Sequence, residues 1–442
     1  MKKEKKIYDK DIVYTILRPY VDRCIRMCYR KAEITGEENL PSDGALILTP
    51  NHCNTLMDAL VMLRAHKGET VFGARADLFN KPFIARIMFF LRILPMVRQR
   101  DGLRNVLKNH ETQETIVETI EHGIRFCVYP EGRHRPEKSL LPLGKGVFRA
   151  ALAANTEFGD RKPVYIVPVG LEYGDFFRVR STSLVNYGQP INVTEYVRQK
   201  SAEAVSEASI IDSLKKELTL RMSELFTYIK NDENLSAKWS LTKMLYITEH
   251  PEGYGNFRTG LKECMLRNRA IVAEVEKACE ERPEEMESLL LEVEDFEKHR
   301  RRDRISIYSF SSRNTVLRLI GKAAAALLGL PYFIFCAAAA LPMWVSYYLI
   351  KGKIKDRAFH NTVGLGVRLT GMTVLIPLYA IIAFCTLSWP VALAITLAAI
   401  PAYSFFFDYV EGIRRFVSDL RIKKCNKLRK QFNLILNKWK SL

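Results

Sequence analysis

Apolar residues recur along this chain in three rhythms, and each predicts a different kind of structure. Near the start, Ile12, Val13, Ile16, Leu17, Tyr20, Val21, Cys24, Ile25 and Cys28 share one stripe at helical spacing, with Arg18, Arg23 and Arg26 off it. The stripe fits a basic helix lying on anionic lipid, and equally a helix packed on its own domain; Pro19 bends it in either case. From about residue 32 to 193, short apolar runs alternate with helical segments. Ala45-Leu46-Ile47-Leu48-Thr49, Ile124 to Tyr129 and Val164 to Val169 read as buried strands, with helices over Leu103 to Glu121 and Lys145 to Ala154. Strands alternating with helices predict an α/β layer structure, in which ligands bind at strand ends.

Beyond residue 200 the rhythm becomes helical throughout. Residues 203 to 300 are highly charged, with Ile210, Ile211, Leu214, Leu218 and Met222 repeating every three or four positions, and read as a helical spacer or interaction surface. Two uncharged stretches follow, Ala323 to Ile350 and Gly371 to Phe407. About 20 residues cross a bilayer as helix, so the second stretch suits two short crossings turning at Ser388-Trp389-Pro390. The segment with Lys351, Lys353, Lys355, Arg357 and Arg368 is basic, and so is the tail from Arg414 to Lys430. The positive-inside rule puts both in the cytoplasm and predicts two helical hairpins, the first bent around Pro331 and Pro342. The expected organisation is an N-terminal amphipathic helix (1–30), an α/β domain (31–200), a charged helical extension (201–310), a transmembrane domain (311–410) and a basic tail (411–442).

Composition narrows the partners. The net charge of +18 favours anionic ones: nucleic acid, an anionic bilayer face or phosphorylated substrates. Basic residues cluster beside the apolar stretches, and no interleaved aromatic–basic motif marks nucleic-acid binding. Nine cysteines occur with no C-x-x-C pair, which predicts reduced thiols and a cytoplasmic α/β domain. The basic start, Met1 to Lys6, is not followed by a continuous apolar core, so no cleavable signal peptide is expected.

Candidate chemistry sits at two strand ends. Pro50 leads into Asn51-His52-Cys53-Asn54-Thr55-Leu56-Met57-Asp58, where an imidazole can act as a base oriented by a carboxylate. The second strand ends in Tyr129-Pro130-Glu131-Gly132-Arg133-His134, a tight turn with cations suited to an anion.

These blocks, with Leu94-Pro95-Met96-Val97-Arg98 and Ile166-Val167-Pro168-Val169, occur in an order that resembles the glycerophospholipid acyltransferase family. The family's first block is usually Asn-His-x-x-x-x-Asp; the longer spacing here, and the Leu140-Leu141-Pro142-Leu143-Gly144-Lys145-Gly146 run, are similar to the branch with fungal-type glycerol-3-phosphate acyltransferases. The resemblance implies a mixed sheet flanked by helices, followed by a helical extension and transmembrane hairpins. It implies His52 as general base and Asp58 as its orienter, with Asn51, Arg98, Glu131, Gly132, Arg133 and Lys145 binding the acceptor. It further implies a multi-pass inner-membrane enzyme of phospholipid synthesis, moving an acyl group from acyl-CoA or acyl carrier protein to glycerol-3-phosphate or 1-acylglycerol-3-phosphate. The thioester is a co-substrate; neither metal nor bound cofactor is expected, and anionic lipid, not nucleic acid, is the expected surrounding. Other readings of the same sequence are an acyltransferase for another lysophospholipid or a lipid amino acid, and a basic membrane-anchored scaffold.

Overall fold

The computed structural model describes residues 5–66, 68–96, 106–202, 205–251, 259–311 and 314–442. The chain divides into two compact units, Met1–Ile25 with Glu33–Glu172 and Ser183–Phe226, and Arg26–Ala32 with Tyr173–Thr182 and Thr227–Leu442. Those units cut the chain along other lines than the five segments expected from composition, because strands distant in sequence pair with one another.

Eight strands form one mixed sheet: β1 (Tyr29–Thr35), β2 (Ala45–Pro50), β3 (Thr70–Arg75), β4 (Ile93–Met96), β5 (Arg125–Cys127), β6 (Val164–Tyr173), β7 (Ser181–Tyr187) and β8 (Ile191–Asn192). Their order is β1-β7-β6-β2-β5-β3-β4, with β8 pairing β6. Strand β2 is parallel to both β5 and β6, β3 is parallel to β4 and β5, and β8 is antiparallel to β6. All six residues of β2 are buried, which explains why its sequence is an unbroken apolar run and not an alternating one. Register pairs Leu48 with Cys127 and Pro50 with Val169. The carboxyl ends of β2 and β5 therefore release Asn51-His52 and Pro130-Glu131 side by side.

Helices α1 (Ile12–Cys28), α2 (Leu56–Ala65), α3 (Pro82–Phe90), α4 (Val106–Glu121), α5 (Gly146–Phe158), α6 (Val193–Ala202) and α7 (Glu207–Ser223) complete the α/β part. On α1 the apolar stripe divides: Cys24, Ile25 and Cys28 are buried, whereas Ile12, Val13, Ile16 and Leu17 are exposed.

In the second unit, α8 (Leu235–Glu249), α9 (Leu261–Glu281) and α10 (Pro283–Arg302) bury a shared core that includes Leu241, Ile271, Leu289, Val293 and Phe296. The charged spacer read from the sequence is thus a packed bundle. The basic tail joins the same core, since α16 (Asn426–Ser441) buries Leu428, Phe432, Ile435 and Leu436 in it.

The apolar stretches form α11 (Val316–Ala339), α12 (Leu341–Lys353), α13 (His360–Thr386), α14 (Trp389–Ala399) and α15 (Ala402–Lys424). Helices α11 and α13 are long and apolar enough to cross a membrane, and α14 with α15, bent by 54°, make a third span if counted as one. Helix α12 has 13 residues, about 20 Å, too short to cross alone. The expected turn falls where α13 ends at Thr386 and α14 begins at Trp389. Arg368 departs from its expected place in a basic loop. It lies within α13, fully buried, over the Tyr403 ring at 4.5 Å and donating from Nη2 to Ser404 Oγ at 3.1 Å.

Candidate active site

Asn51 is the hinge between sheet and site. Its side-chain carbonyl accepts from the Leu171 N–H at 2.6 Å and its amide donates to the Leu171 carbonyl at 3.2 Å. With both ends engaged and 2% of its surface exposed, Asn51 ties the end of β2 to β6. Sequence reasoning placed it against the substrate; in the structure the backbone of β6 occupies its hydrogen-bonding groups.

His52 and Asp58 meet. Nδ1 of His52 lies 2.8 Å from Oδ2 of Asp58, which also accepts the backbone N–H groups of Cys53 at 2.9 Å and Asn54 at 2.7 Å. A carboxylate offers only acceptors, so Nδ1 carries the proton and the Nε2 lone pair is left at the opposite edge of the ring. Asp58 is fully enclosed, while the His52 side chain keeps 18% of its surface. The five residues between the pair are absorbed by a turn in which Met57 N–H donates to the Asn54 carbonyl and Asp58 N–H to that of Thr55. Thr55 pays for this with φ +49°, a left-handed backbone uncommon for a β-branched residue.

Glu131 holds the second block against the first. Its Oε1 accepts the His52 N–H at 2.7 Å and its Oε2 the Leu141 N–H at 2.8 Å. Burial pushes the Glu131 carboxyl up, and those two N–H groups offset only part of the rise. The Arg135 N–H donates to the His52 carbonyl at 3.0 Å, so the turn grips the histidine backbone at both ends. Gly132 has φ +66° and open space where a Cβ would stand, so the conformation and not crowding requires glycine there.

The three predicted cations fare differently. Arg133 is exposed beside Gly132 and makes no ion pair among the described residues. Lys145 precedes α5 and pairs with Asp212 on the surface at 3.0 Å. Arg98 lies outside the described residues.

Several contributors were given no site role from the sequence. Tyr129 stacks on the His52 ring with centroids 4.2 Å apart, and His134 meets the same ring edge-on at 5.7 Å. Lys138 and Glu172 form a buried ion pair, their side chains 4% and 1% exposed. Asn54 is fully buried, with neither amide atom hydrogen-bonded. Tyr129, His134 and Asn54 lie inside the two blocks read from the sequence; Lys138 and Glu172 are 34 residues apart and paired by the fold. Cys53 is buried, and burial, followed by the Asp58 charge, pushes its thiol well up, which keeps it from acting as a thiolate nucleophile.

Residues 31–172 match the family model described as Acyltransferase. A glycerol-3-phosphate O-acyltransferase of Saccharomyces cerevisiae is 30% identical over 109 residues, 23% of this chain and 14% of that protein. The human 1-acyl-sn-glycerol-3-phosphate acyltransferase alpha is 25% identical over 148 residues, 33% of this chain and 48% of that protein. The chain thus spans less than half the length of either relative. Among solved structures, the 1-acyl-sn-glycerophosphate (LPA) acyltransferase PlsC from Thermotoga maritima is similar at 20% identity and TM-score 0.35, over 48% of this chain and 79% of that one. His52–Asp58 and the Pro130-Glu131-Gly132 turn both lie inside residues 31–172, the part of the chain that is similar to the Acyltransferase family.

Proposed function

We propose that this protein is a membrane-bound O-acyltransferase that moves a fatty acyl group from a thioester, acyl-CoA or acyl carrier protein, to glycerol-3-phosphate or 1-acylglycerol-3-phosphate. The observation that carries the reading is the 2.8 Å His52–Asp58 contact, locked to the Glu131 turn through the His52 N–H. His52 Nε2 takes the acceptor's hydroxyl proton as that oxygen attacks the thioester carbonyl, and the imidazolium formed is stabilised by Asp58. The thiolate leaves and takes the proton back, so no acyl-enzyme is needed. Arg133, exposed on the turn, faces solvent as a phosphate contact, with Arg98 and Lys145 as further cations; Glu131 keeps the turn in place. Helices α11 and α13 supply membrane attachment, and positive-inside flanks favour a cytoplasmic active domain in an inner membrane.

The test is acyl transfer from radiolabelled acyl-CoA to both acceptors by purified wild type, His52→Ala and Cys53→Ala. His52→Ala loses about 10²–10⁴-fold in rate, and Cys53→Ala retains activity. Full activity in His52→Ala, or transfer that ignores the acceptor's phosphate, overturns the reading.

A further inference from the structure

Four arginines of the second unit gather around two carboxylates of α15. Arg180 Nε lies 3.1 Å from both oxygens of Asp408 and its Nη2 2.5 Å from Oδ2. Arg178 Nη1 and Arg415 Nε donate to one and the same oxygen, Glu411 Oε1, at 2.7 and 2.9 Å. Asp408 and Glu411 are three residues apart and so share a face of the helix. Arg180 also donates from Nη1 to the carbonyls of Met27 and Tyr29 at 3.0 and 3.1 Å, pinning the segment that carries Arg30.

Arg30 is the residue left over. Its guanidinium is half-buried and makes no hydrogen bond or ion pair among the described residues. Burial, then the neighbouring charges of Arg415 and Arg178, press it downward from its usual range, against the weaker pull of Asp408 and Glu411. Arg178 Nε is enclosed as well, with no hydrogen-bond partner. Four cations therefore face two carboxylates that are already engaged, with a set of N–H donors unspent. Sheltered guanidinium groups massed in this way are unfavourable unless an anion completes them, and their planar forks fit the oxygens of a phosphate.

We propose that Arg30, Arg178 and Arg415 form a binding site for a phosphate group, built from residues other than those of the Glu131–Arg133 turn. A phosphate supplies both the balancing negative charge and several acceptor oxygens. Such a group can come from an anionic lipid headgroup or from a soluble phosphate compound. The lipid source is favoured by position in the chain: the uncharged stretch ends at Phe407, immediately before Asp408, where α15 leaves its apolar segment.

The experiment reads each arginine directly. The full chain in zwitterionic detergent is treated with phenylglyoxal, and modification of Arg30, Arg178 and Arg415 is followed by peptide mass spectrometry, alone, with inorganic phosphate and with short-chain phosphatidic acid. Slowed modification of Arg30 under phosphatidic acid only identifies a lipid headgroup as the occupant; slowing by both probes identifies the phosphate itself. In Arg415→Gln the protecting concentration rises at least about tenfold, whereas Arg133→Gln leaves protection of Arg30 unchanged. Protection by neither probe, or protection that survives intact in Arg415→Gln, overturns the proposal.

Discussion

At the residue scale, the site is a matter of which atoms are already spoken for. Oδ2 of Asp58 alone receives three donors and the residue is fully buried, which suits it to holding the His52 tautomer. Asp58→Asn keeps the size but presents an amide that can turn its NH₂ toward Nδ1, placing the proton on Nε2. The expected loss is about 10²–10⁴-fold in kcat with the fold retained, checked by steady-state kinetics beside circular dichroism. Arg133 is the converse case, exposed and without an ion pair among the described residues. Arg133→Ala is expected to raise KM for a phosphorylated acceptor by about tenfold, as the loss of one charge-assisted contact would. The same substitution should leave KM for the acyl donor in place; an unchanged acceptor KM removes Arg133 from the site.

At the element scale, the question is what keeps the turn after β5 on the end of β2. Glu131 reaches both His52 and Leu141, and the buried Lys138–Glu172 pair fastens the same loop to the end of β6. Taking one partner away leaves a charge stranded in the interior, which costs about 3–5 kcal/mol. Lys138→Met should therefore lower the midpoint of denaturant unfolding markedly, and Lys138→Met combined with Glu172→Leu should recover much of it. Equal damage from the single and the double variant would show that the pair's charges do not matter. Little of this was legible beforehand. The strands β2, β5 and β6 were readable because burial on both faces leaves continuous apolar runs, and Asn51-His52 stood out by following one of them. Strands β1, β3, β4, β7 and β8 were not read, and pairs such as Lys138–Glu172 leave no periodic trace in the chain.

At the scale of the whole molecule, acid stability has an identifiable contributor in the helical bundle. Glu297 on α10 is 7% exposed; burial acts to push it up, but hydrogen bonds from Arg300 and Arg301 and the charge of Lys243 outweigh that and hold it down at about 2. The unfolded value is near 4.5, so the native state prefers the ionised form. Its contribution is complete above about pH 4.5 and is lost as pH falls toward about 2, on the order of 3 kcal/mol in all. Thermal unfolding of wild type and Glu297→Gln across that window should show the wild type losing its advantage as acid is added; parallel curves would exclude Glu297 as the cause. Membrane topology belongs to this scale too. Proposed cytoplasmic flanks predict that a cysteine introduced at Gly352, in the last turn of α12, stays unlabelled by an impermeant maleimide in intact cells and reacts after permeabilisation.

What the amino-acid order determined by itself was whatever is local or periodic. That covers the α/β alternation, the apolar stretches with the break at Trp389, and the histidine-to-aspartate block, because repeats of two and 3.6 residues and short motifs need no distant partner. Tertiary structure decided everything that depends on who faces whom. It turned the charged region from 235 to 302 and the basic tail into one packed core, and it drew Arg368 out of a loop and into the interior of α13. It took the Asn51 amide for the backbone of β6 and left Arg30 unsatisfied among other arginines. A charged or polar side chain reads as solvated until its neighbours are known, since burial and pairing are properties of contacts between residues far apart in the chain.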